Sequence, residues 1–277
     1  MKKITYKLVA VSALVLGLSA CQKKFDPSSY APPLSIGGFT STKEIAPSNL
    51  VAYYAFNGSA IDSVSNTAGT ATGIGYSAGI KGQAMQGALN GYIVGTPPTS
   101  VAGLTSFTVT EWFKTPAPST GIIGLFSLAN TTNFWGNIEF FIENGSTNDA
   151  GKLRIHVFNG TDDRTLEINN AVNLFDKWNS MAVTYNQENS TVSVYLNGSL
   201  LKAGTLGGLA GPLALKNVGK FVFGTVQFMT SPSQTSSHNS EPWASFLTGQ
   251  LDEVRVYNKA LTIDEISALV KLEGRGK

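Results

Sequence analysis

From Asn49 onward the chain alternates short apolar runs with polar, glycine-bearing breaks. The runs are Leu50–Phe56, Phe107–Phe113, Ile122–Leu128, Ile138–Ile142, Leu153–Phe158, Met181–Tyr185, Val192–Leu196, Phe221–Val226 and Leu251–Tyr257. Runs of this length, rich in β-branched and aromatic residues, read as strands. Asn57-Gly58, Asn159-Gly160 and Asn197-Gly198 mark turns, because Asn and Gly tolerate positive φ. A succession of strands with no helical period between them predicts a sandwich or a barrel. Only the end differs. Thr262 and Glu265 form a capping-box pattern ahead of Ile266, Leu269 and Val270, which predicts a short helix packed by its apolar side.

The first part of the chain carries another pattern. Lys2, Lys3 and Lys7 precede an apolar stretch, Leu8 to Leu18, broken only by Ser12. That stretch is shorter than the ~20 residues of a spanning helix. The small residues Ser19 and Ala20 then lead to Cys21, the only cysteine. Charge, apolar core and small residues in this order predict a signal peptide over residues 1–20. Residues 21–48 read as an acylated cysteine followed by a flexible tether, since Pro27, Pro32, Pro33 and Pro47 disfavour helix and paired strand. Residues 49–277 form the predicted folded domain. With no second cysteine, it has no internal disulfide.

Composition narrows the class. Charged residues make up 14% of the 277, glycine occurs 29 times, and the net charge is +2. This is the profile of a β-rich exported domain. It carries no basic cluster of the kind that nucleic acid demands.

Two resemblances add to this. Leu18-Ser19-Ala20-Cys21 resembles the lipobox of bacterial lipoproteins, which implies acylation of Cys21 and a membrane anchor. Gln22 stands where an inner-membrane retention signal would have aspartate, so the expected location is the outer membrane, with the cell surface as the expected side. Further on, Leu50-Val51-Ala52-Tyr53-Tyr54-Ala55-Phe56-Asn57-Gly58, Gly79-Ile80-Lys81-Gly82-Gln83-Ala84, Phe107-Thr108-Val109-Thr110-Glu111-Trp112, Val194-Tyr195-Leu196-Asn197-Gly198 and Gly249-Gln250-Leu251-Asp252-Glu253-Val254-Arg255-Val256-Tyr257 follow in order. Over Asn49 to Leu272 the chain resembles the laminin-G-like, concanavalin-A-like family. The resemblance implies an all-β, two-sheet antiparallel jelly-roll sandwich and, in many members, carbohydrate binding.

Candidate sites come from both sources. Strand alternation places Asp252 in the phase of the buried Val254 and Val256, and an inward carboxylate needs a cation or several donors. Related domains often hold calcium between this strand and the loop after the first strand, which here supplies Asn57 and Asp62. The resemblance therefore implies a structural calcium on Asn57, Asp62 and Asp252. The alternative is that Asp252 caps turn amides without metal.

Trp135 and Trp243 lie in polar loops, with Asn133 and His238 nearby. An indole there offers a flat apolar face on which sugar C–H groups stack. The alternative is that each tryptophan anchors its own loop. Trp112 and Trp178 match framework positions of the family, and His156 reads as structural. Glu111 shares the alternation phase of Phe107, Val109 and Phe113. Either the strand carries a bulge, or Glu111 emerges at an edge, or Trp112 faces a ligand.

Catalytic chemistry finds no support. Neither histidine has a zinc-type spacing, and no nucleophile elbow is present. Glu139 and Glu143 share one side of a strand, but lie ~13 Å apart along it. A retaining glycosidase needs carboxylates about 5–5.5 Å apart. The expected function is a membrane-anchored, non-catalytic protein that binds glycan at the bacterial surface. A protein-binding or adhesion module, or a structural subunit of an envelope complex, is the alternative.

Overall fold

A computed structural model of the chain describes residues 35–277. The expected signal peptide, Cys21 and the first part of the expected tether lie outside the described residues. Along the chain the strands are β1 (Leu50–Tyr54), β2 (Ile61–Asp62), β3 (Thr67–Ala68), β4 (Thr70–Thr72), β5 (Gly75–Ala78), β6 (Gln83–Gln86), β7 (Tyr92–Gly95), β8 (Phe107–Lys114), β9 (Ile122–Asn130), β10 (Ile138–Ile142), β11 (Gly151–Phe158), β12 (Asp163–Ala171), β13 (Asn179–Asn186), β14 (Thr191–Leu196), β15 (Ser199–Thr205), β16 (Val218–Phe223), β17 (Ala244–Ser245) and β18 (Gln250–Tyr257). Helix α1 (Ile263–Glu273) follows.

The strands form two sheets. The first runs β15-β14-β13-β8-β18-β1-β2-β3, with the β5–β6 hairpin attached to β18 through β6. The second runs β12-β11-β10-β9-β16-β7-β4, with β17 alongside β9. All pairings are antiparallel except β17 with β9. This is the expected all-β sandwich, and every apolar run read from the sequence contributes a strand to it. The hairpin between β14 and β15 turns on Asn197 and Gly198, both at positive φ (52° and 79°), as a type I′ turn requires.

The facing sides of the sheets make the core. Phe107, Val109 and Phe113 of β8 meet Ile138, Phe140 and Ile142 of β10 and Leu153, Ile155 and Val157 of β11 in one buried cluster. Tyr54, Phe126, Phe221 and Phe223 pack ring against ring within it, at centroid separations of 4.8–6.1 Å.

The outer side of the first sheet is closed by α1. Thr262 and Glu265 cap the helix reciprocally, as expected. Its last turn brings Glu273 over the sheet, where Trp112 Nε1 donates to it at 2.6 Å and Arg255 also pairs with it. Arg255 pairs with Glu253 as well, at 2.6 Å, and lies over the Tyr53 ring. Glu253, Arg255 and Glu273 thus each meet an opposite charge, which is the condition for burying them. Trp112 therefore faces the helix and not a ligand.

Residues 36–48 depart from the expected tether. Ile45 is buried against Ala268, Leu269 and Leu272 of α1, with Ile36 and Phe39 beside it. Three apolar side chains in a proline-bearing stretch are enough to hold it on the helix. The folded domain begins at Ile36 rather than Asn49.

The register of β18 resolves the phase of Glu111. Asp252 lies opposite Trp112 and Arg255 opposite Thr110, so an extra residue interrupts the pairing between them. Glu253 takes φ 52° at that β-bulge. The bulge sits in the neighbouring strand, and β8 keeps its alternation. Glu111 accordingly points into the core. Neither of its oxygens meets a protein donor among the described residues.

Burial pushes the Glu111 pKa up to about 8. The unfolded value is about 4.3. A carboxyl raised on folding contributes fully below its unfolded pKa and loses that contribution as pH climbs toward its folded one. Unfolding free energy is expected to decline between pH 5 and pH 8 and, in Glu111→Leu, to decline less steeply. Urea unfolding across this range checks it; an unchanged slope in the variant would contradict the assignment.

Candidate functional site

The open side of the second sheet carries the site, and two loops build it. The first, Thr131–Asn137, joins β9 to β10. Asn130 Oδ1 accepts from the backbone N–H groups of Thr132 and Asn133, each at 3.0 Å, and so starts the loop as an Asx turn. The second is the turn Gln227–Met229 after β16. Gln227 ties the two together. Its Oε1 accepts from Asn130 N at 2.7 Å, and its Nε2 donates to the carbonyls of Asn133 and Phe134 at 2.8 and 2.9 Å.

Glu139, on the outer phase of β10, completes the knot. It accepts from Gly136 N and Gln227 N, both at 3.0 Å, and from the Ser127 hydroxyl. Burial pushes its pKa up, against these three donors, which favour the charged form. Glu143, on the same side of the strand, pairs with Arg154 at 2.8 Å. Both carboxylates are thus engaged with separate partners.

The clamped loops present a set of rings. Trp135 stacks on His156 at 4.5 Å and on Phe141 at 5.0 Å, which stand on the outer phase of β11 and β10. His156 is held in turn by Asp163 at 3.2 Å and Thr165 at 3.1 Å. Phe134 meets Phe228 at 4.9 Å and the His238 ring edge-on at 4.2 Å. Trp243 packs over Phe228 at 5.5 Å and lies 6.1 Å from both Phe134 and Trp135. Trp135 and Phe134 are half-buried, while Trp243 remains 42% exposed. The result is an aromatic platform rising from the sheet to an exposed indole.

The expected residues Trp135, Trp243 and His238 therefore come together, although more than a hundred positions separate the first from the others. Both readings of the tryptophans apply: Trp135 anchors its loop, and Trp243 offers a face. Asn133 lies in the same loop, but its side chain donates to Trp135 O and its carbonyl accepts from Gln227 and Thr235, so it shapes the loop. Phe134, Phe141, His156 and Phe228 are further members. Phe141 and His156 occupy the phase opposite to the core residues of their strands, and an aromatic residue on a polar phase is the signal they leave.

Asn57, Asp62 and Asp252 occupy two separate hydrogen-bonding sites. Asp62 accepts from Val64 N at 3.0 Å and Ser65 Oγ at 2.5 Å within its own turn, and from Tyr53 N of β1 at 2.8 Å. Asp252 accepts from Ile80 N at 2.9 Å, Lys81 N at 3.3 Å and Glu253 N at 2.8 Å. Asn57 holds the other end of the Gly79–Gly82 turn through Gln83 N at 2.6 Å. A Cβ on Gly79 would collide with Asp252, and one on Gly82 with Asn57, so both turn positions require glycine. Burial, and then the charge of Glu253, push the Asp252 pKa up to about 7, which adds to the decline in stability with rising pH.

Calcium takes six to eight oxygen ligands. Here N–H donors surround the carboxylates, and no group of three or more His, Cys, Asp or Glu converges among the described residues. The set does not fit the expected calcium. The phase argument for Asp252 failed at the bulge: Asp252 faces the side of Trp112, and its donors come from the adjoining turn.

Sequence and structure comparisons place this geometry. Residues 86–267, more than half of the chain, match the Laminin_G_3 profile of the concanavalin A-like lectin/glucanases superfamily, and the chain belongs to that family. Among solved structures, domain 4 of AbnA, a GH43 extracellular arabinanase from Geobacillus stearothermophilus in complex with arabinotriose, is similar. It superposes with a TM-score of 0.53 at 20% identity, covering 80% of this chain and 98% of that one. The binding domain of Paraclostridial Mosquitocidal Protein 1 gives 0.55 at 16% identity, with 80% and 52% covered. The binding domain of Botulinum neurotoxin DC in complex with rat synaptotagmin II gives 0.59 at 13% identity, with 83% and 52% covered. The chain thus spans about half the length of these two toxin structures. At such identities the likeness is one of fold. No curated protein matches the sequence.

The turn-capping role of Asp252 sets a clear expectation. Asp252→Ala leaves the buried Glu253 N–H and the part-buried Ile80 and Lys81 N–H groups without their acceptor and is expected to cost about 1–3 kcal/mol in denaturant unfolding. Millimolar calcium is expected to leave the melting temperature of the wild type unchanged. A calcium-dependent rise that Asp252→Ala abolishes would contradict the role.

Proposed function

We propose that this protein is a non-catalytic lipoprotein, anchored through Cys21 in the bacterial outer membrane, that captures carbohydrate at the cell surface. The observation that carries the reading is the platform, with the Trp243 indole exposed at its top and backed by Phe228, Phe134 and Trp135. A rigid aromatic face is the surface on which the apolar side of a sugar ring loses water, while its hydroxyls remain free for polar loops. The arabinotriose held by the AbnA domain adds support at the level of fold.

Two further observations favour the reading. Two acidic residues on this side, Glu139 and Glu143, are each committed to hydrogen bonds or an ion pair, which leaves neither poised as acid or nucleophile. The chain also enters the domain under α1, outside the first sheet, whereas the platform lies outside the second.

Glycan-array screening followed by calorimetry tests the proposal. The wild type is expected to bind at least one neutral polysaccharide or its oligosaccharides. Trp243→Ala is expected to weaken that binding about tenfold or more, since truncated aromatic anchors cost ~2 kcal/mol or above, with the fold retained by circular dichroism. Unchanged binding in a Trp135→Ala/Trp243→Ala double variant, or no glycan bound by the wild type, would overturn it.

A further inference from the structure

Beside Trp243 lies a cleft of about 470 Å³, within the ~300–1,000 Å³ usual for ligand sites. Met229 and Phe246 line it as apolar surface, and Asn90, Ser231, Asn239 and Ser240 supply amide and hydroxyl groups. All four of these polar residues are exposed. Among the described residues, no ionisable side chain lines the cleft.

The walls are held before any ligand arrives. Tyr92 Oη donates to Ser231 O at 3.1 Å and accepts from Ser231 N at 2.9 Å. The Tyr92 ring stacks on Phe246, with centroids 6.4 Å apart. Thr230 Oγ1 donates to Pro232 O at 2.8 Å, and Ser233 Oγ to His238 O at 2.8 Å. A loop braced in this way loses little further freedom on binding, which is the main cost a site can avoid.

The cleft is continuous with the platform. Met229 lines the one and packs against the other. The segment Asn239–Phe246 gives Asn239, Ser240 and Phe246 to the cleft, and Trp243 to the platform. One short segment and Met229 thus serve both surfaces, which sets the cleft next to the platform.

We infer that this cleft is a second subsite, which takes a neutral, hydroxyl-rich unit of the same glycan whose neighbouring unit stacks on Trp243. The inference rests on the carbohydrate-binding reading above. Amides and hydroxyls both donate and accept, which matches vicinal sugar hydroxyls. The apolar surface of Met229 and Phe246 accepts a ring's C–H side. An uncharged lining leaves a uronate or sulfated unit without a counter-charge, so neutral glycans are selected.

The test uses the full chain and ladders of neutral arabino-, xylo- and gluco-oligosaccharides, from one to six units, read by calorimetry. For the ladder that binds, wild-type affinity is expected to rise with length. The Asn90→Gly/Asn239→Ala variant is expected to lose about fivefold for the longer members, the value of one or two hydrogen bonds, and to leave the shortest binder unchanged. Ser240→Trp, which fills the mouth, is expected to flatten the ladder in the same way, while Trp243→Ala weakens every member. Affinity independent of length, or a ladder unaltered in both cleft variants while Trp243→Ala still weakens binding, would overturn the cleft and leave the platform standing. No binding of any ladder by the wild type would remove the platform and the cleft together.

Discussion

One buried carboxylate, Glu139, governs how the open side of this sandwich is shaped. A carboxylate with no solvent exposure must be met by donors. Its three donors come from three places: the Ser127 hydroxyl on the adjacent strand, Gly136 N at the end of one loop, and Gln227 N at the start of another. Satisfying Glu139 thus fixes both loops to the sheet. Gln227 extends the knot through three more hydrogen bonds to the first loop. Only with both loops fixed does Trp135 settle on His156 and Phe141, and Phe228 lie under Trp243. The polar knot makes the aromatic surface, and the rigidity of that surface lowers the ordering cost of any ligand placed on it.

The two outer sides of the sandwich have opposite fates. Outside the first sheet, α1 and the segment from Ile36 to Ile45 cover the strands, with Glu273, Arg255 and Glu253 locked as paired charges and Trp112 hydrogen-bonded beneath the helix. That side is structural. Outside the second sheet, no α-helix of the described residues covers the side chains and loops. A sandwich covered on its first side leaves the rings on its second side accessible to a ligand.

Much of the fold was legible because it follows from local rules. Apolar runs became strands, Asn197-Gly198 became a hairpin turn, and the Thr262–Glu265 box began the helix. Strand β15 was missed because most of its residues face solvent, and β12 because its buried positions, Leu166, Ile168 and Ala171, are spread among polar residues. The bulge at Glu253 left no mark in composition, yet it moved Asp252 to the other side of its strand and with it the basis for a calcium site. The packing of residues 36–48 was hidden because the stretch continues a proline-bearing segment and only α1 makes Ile36, Phe39 and Ile45 a coherent surface. In the candidate site, Trp135, Trp243 and His238 stood out as rings in polar loops. Phe141 and His156 did not, because their partner, Trp135, reaches them through a loop whose path is set by Glu139 and Gln227.

The central claim is that this platform is the ligand-binding surface. Indole N–H resonances of the four tryptophans, followed by NMR during titration with a bound oligosaccharide, test it most directly. The account predicts that the signals of Trp243 and Trp135 shift, while those of Trp112, bonded to Glu273 under the helix, and Trp178 stay in place. Shifts confined to Trp112 or Trp178, or none at all while the sugar binds, would contradict it.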